Sequence, residues 1–212
     1  MSDAYSLTRS LADAASFSVI DQARLELIAQ CAARQVKVAG DFIELGVFRG
    51  GSAILLASAI KQYHAPCKLH LLDSWQGLPG LNDEDLGTFV AQGQFSESSE
   101  HAVRARLDDF GLLDVCETHQ GWVEDTLPEL HGPFSLVHLD LDLYQPTYFA
   151  LSCLLLRMAA GGEIIIDDYG NETLRRFPGV EKAVSEIIAG SDWSIVESAG
   201  ERDQSVRIAR QS

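Results

Sequence analysis

The sequence predicts an α/β fold: a mostly parallel sheet with helices on both faces and an antiparallel strand at its C-terminal edge. Three observations carry this reading. Short apolar runs, bounded by polar or glycine residues, recur as buried strands. Stretches with helical apolar spacing separate them, and such alternation implies parallel strands joined by right-handed crossovers. The C-terminal stretch then switches to two strands joined by a turn, which adds an antiparallel strand to an otherwise parallel sheet.

Taken in order, residues 19–38 keep helical spacing through Val19, Ala23, Leu27, Ile28, Cys31 and Ala32, and are expected to pack on the sheet. Residues 1–16 carry a weaker signal, compatible with a lid or a contact in a homo-oligomer. Residues 1–38 therefore read as an N-terminal helical extension or lid, and 39–212 as one domain. Strands are expected at Asp41–Gly46, Lys68–Asp73, Phe134–Asp140 and Gly162–Asp167. Helices are expected at Ser52–Tyr63, Glu100–Phe110 and Thr147–Ala160, the last stopped by Gly161-Gly162. Trp193–Ser198 and Ser205–Arg210 form a hairpin through a turn at Gly200–Asp203. Asn82–Glu100 is too long and polar for a simple connection and reads as a lid or acceptor-binding element.

Composition bounds the function. With 212 residues, 46% hydrophobic and a mean hydropathy of +0.02, the chain can bury a full core, and no linker or internal repeat divides it. It shows neither an apolar run long enough to span a membrane nor a signal-peptide pattern, so a cytoplasmic protein is expected. Cys31, Cys67, Cys116 and Cys153 are widely spaced and read as reduced thiols rather than a zinc or disulfide framework. A net charge of −15 argues against nucleic acid as a partner, because phosphate binding needs clustered Lys and Arg.

The chemistry concentrates at strand ends, where open α/β sheets place their sites. Asp140 and Asp142 close one apolar run, and Asp167-Asp168 close another. Clustered carboxylates are costly without a cation, and a hard oxygen donor set suits Mg²⁺ rather than zinc. Glu44-Leu45-Gly46-Val47-Phe48-Arg49-Gly50-Gly51-Ser52 runs from strand through a glycine-rich turn into a helix, which lets a ligand approach the backbone. Its spacing is not G-x-G-x-x-G, and Glu44 is an awkward neighbour for a pyrophosphate, so a cationic ligand fits better. Asp73 ends the second strand, where a carboxylate can accept hydrogen bonds from both hydroxyls of an adenosine ribose. A tight turn with a surface acid explains the same residues without a ligand.

Five segments in order make the pattern specific: 41–52, Leu72–Pro79, Gly121–Pro128, the Asp-Leu-Asp-Leu-Tyr-Gln-Pro-Thr run from Asp140 to Thr147, and Asp167–Gly170. Together they resemble the macrocin O-methyltransferase family, whose members methylate sugar hydroxyls of antibiotics using S-adenosylmethionine and Mg²⁺. The resemblance implies a Rossmann-like class I methyltransferase fold with a seven-stranded sheet. It also implies that Gly46, Val47, Phe48 and Ser52 line the methionine end of the cofactor above Glu44. Asp73 would hold the ribose, with Ser74 nearby, and Gln120, Gly121 and Trp122 at the end of the third strand would border the adenine. Trp122 also reads as an ordinary core aromatic.

For the metal, the resemblance implies Asp140, Asp167 and Asp168, with Asp140 also close to the cofactor. Asp168 could instead cap the following loop, leaving Asp140 and Asp167 to face the pocket. Asp142 is implied as the general base, with His138 as an alternative to it or a supporting histidine. The acceptor would be a small hydroxylated natural product such as a deoxysugar. The chain has less material ahead of its first strand than the antibiotic-sugar enzymes, which leaves the acceptor open. Two other classes are a nicotinamide-dependent Rossmann oxidoreductase, disfavoured by the missing G-x-G-x-x-G and Tyr-x-x-x-Lys, and a non-catalytic cofactor-binding protein.

Overall fold

A computed structural model describes residues 6–170, 177–200 and 204–211. Seven strands form one sheet in the order β3-β2-β1-β4-β5-β7-β6. The strands are β1 (Asp41–Leu45), β2 (Leu69–Asp73), β3 (Cys116–Gln120), β4 (Phe134–Leu139), β5 (Met158–Ile166), β6 (Trp193–Ala199) and β7 (Ser205–Arg210). The first five are mutually parallel, while β7 runs antiparallel to both β5 and β6. The antiparallel C-terminal strand is present as expected, but it inserts between β5 and β6 rather than ending the sheet. Its apolar residues explain the placement, since Val206 and Ile208 are buried whereas Ile195 and Val196 of β6 are exposed. Of the expected hairpin turn, residues 201–203 lie outside the described residues.

The helices are α1 (Leu7–Ala15), α2 (Gln22–Gln35), α3 (Gly51–Tyr63), α4 (Glu100–Asp109), α5 (Val123–Thr126), α6 (Tyr144–Leu154) and α7 (Pro178–Ile188). Strand alternation splits the core. Phe42, Leu69, Leu71 and Leu136 meet α1–α4 on one face, and Ile43, Leu45, Val137 and Leu139 meet α5–α7 on the other. Each wholly buried Leu, Ile or Phe contributes about 1.5–3 kcal/mol of transfer free energy. No helix among the described residues is long and apolar enough to cross a membrane.

The N-terminal segment shares this core: Ala14 is fully buried and Phe17 meets Phe110 edge-on at 6.2 Å. Asp21 caps α2 by accepting from the Arg24 N–H, which explains why the helix starts later than its apolar spacing suggests.

One helix assignment is corrected. Helical spacing predicts Thr147–Ala160, but α6 ends at Leu154 and β5 begins at Met158. Phe134 pairs with Met158 and Leu136 with Glu163, so Gly161-Gly162 sit in a bulge of β5 instead of stopping a helix. The run Leu154-Leu155-Leu156 has no periodicity that separates helix from strand. Helices α5 and α7 were not anticipated.

The long connection after β2 folds onto the molecule. Leu78 exchanges backbone hydrogen bonds with Gly93 and Gln94, each at 2.9 Å. Asp85, 1% exposed, accepts from the Tyr144 N–H at 2.8 Å and so caps α6 from this loop.

Candidate active site

At the C-terminal ends of β1, β2 and β4 the chain surrounds a cavity of about 330 Å³. One wall is the turn after β1. Gly46 takes φ +84°, and a Cβ there would run into the Asp140 carbonyl, so only glycine lets β1 and β4 close at this point. Phe48 follows at φ +50°, a strained conformation for a bulky residue. It is held because the Val47 and Phe48 N–H groups both donate to Asp73 Oδ2 at 2.8 Å, and Trp75 Nε1 donates to the Phe48 carbonyl at 3.1 Å. Asp73 Oδ1 accepts from the Trp75 N–H at 2.7 Å. The carboxylate expected to hold a ribose is thus also the anchor of the glycine turn.

Beneath this wall Glu44 is wholly buried. It accepts from the Ser52 hydroxyl and lies 3.0 Å from His138 Nδ1. Burial alone would lower the His138 pKa, but the hydrogen bond and charge of Glu44, with Asp167 and Asp140 beyond, hold it above its usual value. His138 is fully enclosed and does not line the cavity. Its geometry is that of a prop under the Ser52–Glu44 pair, too deep to reach a molecule in the cavity.

The opposite wall is acidic. Asp140, Asp142 and Asp168 each offer an oxygen within 4.8 Å of the others. Asp142 and Asp168 take φ +63° and +59°, a conformation aspartate tolerates better than most residues, and they share a hydrogen bond. Burial and the charges of Asp167, Asp168 and Asp142 push the Asp140 carboxyl well above its ordinary range. Burial and Asp167 push Asp168 up to about 6, against the pull of Arg24.

Asp167, 2% exposed, differs from its neighbours: its Oδ1 accepts from the Ser205 hydroxyl and from Arg24 Nη1 at 2.9 Å. Its Oδ2 is buried without a hydrogen-bond partner among the described residues. The gathered trio is therefore Asp140, Asp142 and Asp168, with Asp167 beside it rather than within it.

Arg24 was not anticipated. It reaches from α2 to Asp167 and to Asp168 (3.1 Å), while Asp21 Oδ2 holds its Nε at 3.1 Å. Among the described residues lining the cavity it is the sole cation. A signal was present: Arg24 falls on the same buried stripe of α2 as Ile28, Cys31 and Gln35, and a charge there requires a buried partner.

A family model for macrocin-O-methyltransferase (TylF) matches residues 9–190. The chain belongs to the macrocin O-methyltransferase family. A tetracenomycin-C-derivative 4'-O-methyltransferase of Streptomyces olivaceus is 34% identical over 147 residues, covering 65% of this chain and 56% of that protein. The demethyldecarbamoylnovobiocin O-methyltransferase of Streptomyces niveus is 31% identical over 156 residues, covering 69% and 60%. The matched region is thus under two thirds of the length of these relatives. The structure of the O-methyltransferase NovP superposes with a TM-score of 0.78 at 28% identity, covering 92% of this chain and 83% of that one. The Rossmann-like class I methyltransferase fold follows.

In this macrocin O-methyltransferase family member, Gly46, Val47, Phe48, Ser52, Asp73, Ser74, Gly121, Trp122 and Asp140 all line the cavity, as do Asp142, Asp167 and Asp168. Glu44 and Gln120 do not: Glu44 lies below the floor, and Gln120 is exposed at the end of β3. Trp122 is half-buried at the rim instead of in the core. The structure adds Phe17–Ile20 between α1 and α2, Leu78, Phe95 and Phe177 as closing residues. Phe95 meets Phe48 edge-on at 5.5 Å, so the long loop covers the glycine turn.

Proposed function

We propose that the protein is an S-adenosylmethionine- and Mg²⁺-dependent O-methyltransferase acting on a hydroxyl of a small natural-product acceptor of the deoxysugar type. The observation that carries this reading is that one cavity joins the glycine turn and Asp73 to the carboxylates Asp140, Asp142 and Asp168. Similar proteins named for tetracenomycin, novobiocin and mycinamicin substrates support the acceptor class.

The residues fit a hard cation. Three carboxylate oxygens converge, and Asp167 Oδ2 is a buried acceptor with no hydrogen-bond partner among the described residues. Asp140 and Asp168 would hold Mg²⁺ with Asp167 beside them, which leaves Asp142 free to act as the base. When bound, it supplies Lewis-acid chemistry that lowers the acceptor hydroxyl's pKa and fixes its position. The Gly46–Phe48 turn and Ser52 would hold the methionine end of the cofactor, and Asp73 would meet the ribose with the lone pairs that the backbone leaves open. Asp142 would take the proton of the acceptor hydroxyl, and the cofactor would supply the methyl group. Phe17–Ile20, Phe95 and Phe177 keep water from the reacting atoms. Four unpaired cysteines suit a cytoplasmic setting.

Calorimetric titration with S-adenosylmethionine, with and without Mg²⁺, tests the reading, and mass spectrometry of hydroxylated acceptors with labelled cofactor identifies the product. Absence of binding by either ligand overturns it, and full activity in excess chelator removes the metal from it.

The raised carboxyls set a pH dependence. A folded-state pKa of about 6 for Asp168 means that the folded chain keeps a proton which the unfolded chain, titrating near 3.9, releases. The stability this gives is complete below the unfolded value and is lost as pH rises through about 6. Mg²⁺ needs the ionised carboxyl, so its affinity runs the opposite way. The rise in melting temperature on adding Mg²⁺ is expected to be larger at pH 7.5 than at pH 5.5. Asp168→Asn should flatten that difference, and an unchanged difference in the variant would assign it to another group.

A further inference from the structure

A second cluster of metal-ligating side chains lies on the sheet away from the cavity. Parallel pairing sets His70 of β2 opposite Glu117 of β3, and the alternation of side chains along β3 puts His119 on the same face. His70 Nδ1 and His119 Nε2 are 3.1 Å apart, and Glu117 Oε2 is 3.8 Å from the same Nδ1. All three donor atoms lie within 4.8 Å of one another. None of the three residues lines the methyl-transfer cavity.

The surroundings of His70 favour a lone pair at Nδ1. Its Nε2 lies 3.5 Å from Asp41 Oδ2 on β1, and the other Asp41 oxygen is fixed by the Lys68 N–H at 2.8 Å. A carboxylate at one ring nitrogen draws the proton there and leaves the other nitrogen free to ligate, the usual arrangement behind a metal-bound histidine. The Phe134 ring meets His70 edge-on at 6.3 Å and limits its rotation. Burial and the nearby His70 lower the pKa of His119. Glu117 and Glu100 are the charges that pull it the other way.

We propose that His70, Glu117 and His119 form a second cation site, specific for a borderline divalent ion such as Zn²⁺, that staples edge strand β3 to β2. Two imidazoles and one carboxylate suit Zn²⁺ better than Mg²⁺, which prefers an all-oxygen shell. Tetrahedral Zn–N bonds of about 2.0–2.1 Å separate two ligand nitrogens by roughly 3.3 Å, close to the spacing of this pair. The side chain of Glu117 is half in solvent, which leaves an entry path and room for water as a fourth ligand. Among the described strands β3 is the edge of the sheet and pairs with β2 alone. An ion bridging the two strands would stiffen the elements that carry Asp73 and Gly121-Trp122 to the cofactor cavity. Without metal, the His119 Nε2–H would donate to His70 Nδ1, and Zn²⁺ binding requires that proton to move to His119 Nδ1.

The test is calorimetric titration of the full metal-stripped chain with ZnCl₂ in saturating MgCl₂, which keeps the acidic cluster occupied. One Zn²⁺ per chain is expected, with a higher melting temperature and tetrahedral visible absorption when Co²⁺ replaces Zn²⁺. His119→Asn is expected to remove the binding and both signals, and Asp41→Asn to weaken binding by roughly 10–100-fold. His70 is more enclosed, so His119→Asn and Glu117→Gln are the primary variants, with the circular dichroism of each confirming that it folds. Zn²⁺ binding that survives in His119→Asn, or that is lost in Asp140→Asn instead, overturns the proposal. So does the absence of any saturable Zn²⁺ binding.

Discussion

Asp142→Asn is expected to lower turnover by about 10²–10⁴-fold, the usual contribution of a positioned general base, while S-adenosylmethionine affinity stays within about twofold. The reason is geometric. Asp142 projects from a turn after β4, closed by a Leu143 N–H to Leu141 carbonyl bond of 2.7 Å, and its left-handed backbone aims the carboxyl at Asp168 and the cavity. An amide of the same shape keeps the turn and loses the proton acceptor, so the effect falls on kcat rather than on cofactor binding. Asp140→Asn is expected to act differently, raising the Mg²⁺ concentration needed for half-maximal rate. Steady-state kinetics across Mg²⁺ concentrations, paired with cofactor calorimetry, separate the two. Equal loss of cofactor affinity in Asp142→Asn would reassign that residue to binding.

Arg24→Gln is expected to destabilise the cation-free protein by about 3–5 kcal/mol, the usual result of removing one partner of a buried ion pair. For a chain of this size that lowers the melting temperature by roughly 6–20 °C. Asp167, which Arg24 and Ser205 hold on one oxygen, would be left buried and charged beside Asp140 and Asp168. Mg²⁺ is expected to recover part of the loss by supplying the missing positive charge. Arg24→Lys should fall between, because a single ammonium cannot meet Asp21 and the Asp167-Asp168 pair with the fork that the guanidinium uses. Urea unfolding with and without MgCl₂ measures both effects. A variant as stable as the parent in chelator would show that the pair is not what holds α2 to the strand ends.

Asp167 itself shows how the tertiary arrangement redistributes roles that look equivalent in sequence. Asp167 and Asp168 are consecutive, and either could ligate a metal. The left-handed backbone at Asp168 turns its carboxyl to Asp142, whereas Asp167 faces Ser205 and Arg24. Asp73 shows the same thing from another side: the ribose role implied by its strand end is joined by a structural one, since the glycine turn hangs on its carboxylate through two backbone N–H groups.

The alternating strands and helices, the antiparallel C-terminal strand and the motifs around Gly46, Asp73, Asp140 and Asp167 were legible in the sequence. All of these depend on local periodicity, on glycine at a positive φ and on acids at strand ends. The end of α6 was not legible, because Leu154–Leu156 suits helix and strand alike and only pairing with Phe134 and Leu136 of β4 settles where β5 begins. Nor was the insertion of β7 between β5 and β6, which depends on burial from both sides.

By itself, then, the sequence determined the parallel sheet and which carboxylates stand at its C-terminal edge, because apolar patterning and strand length are local. Only the tertiary structure decided which acids converge and that Arg24 supplies a positive charge among them. Those contacts join residues far apart in the chain, and their energy depends on burial that no local pattern records.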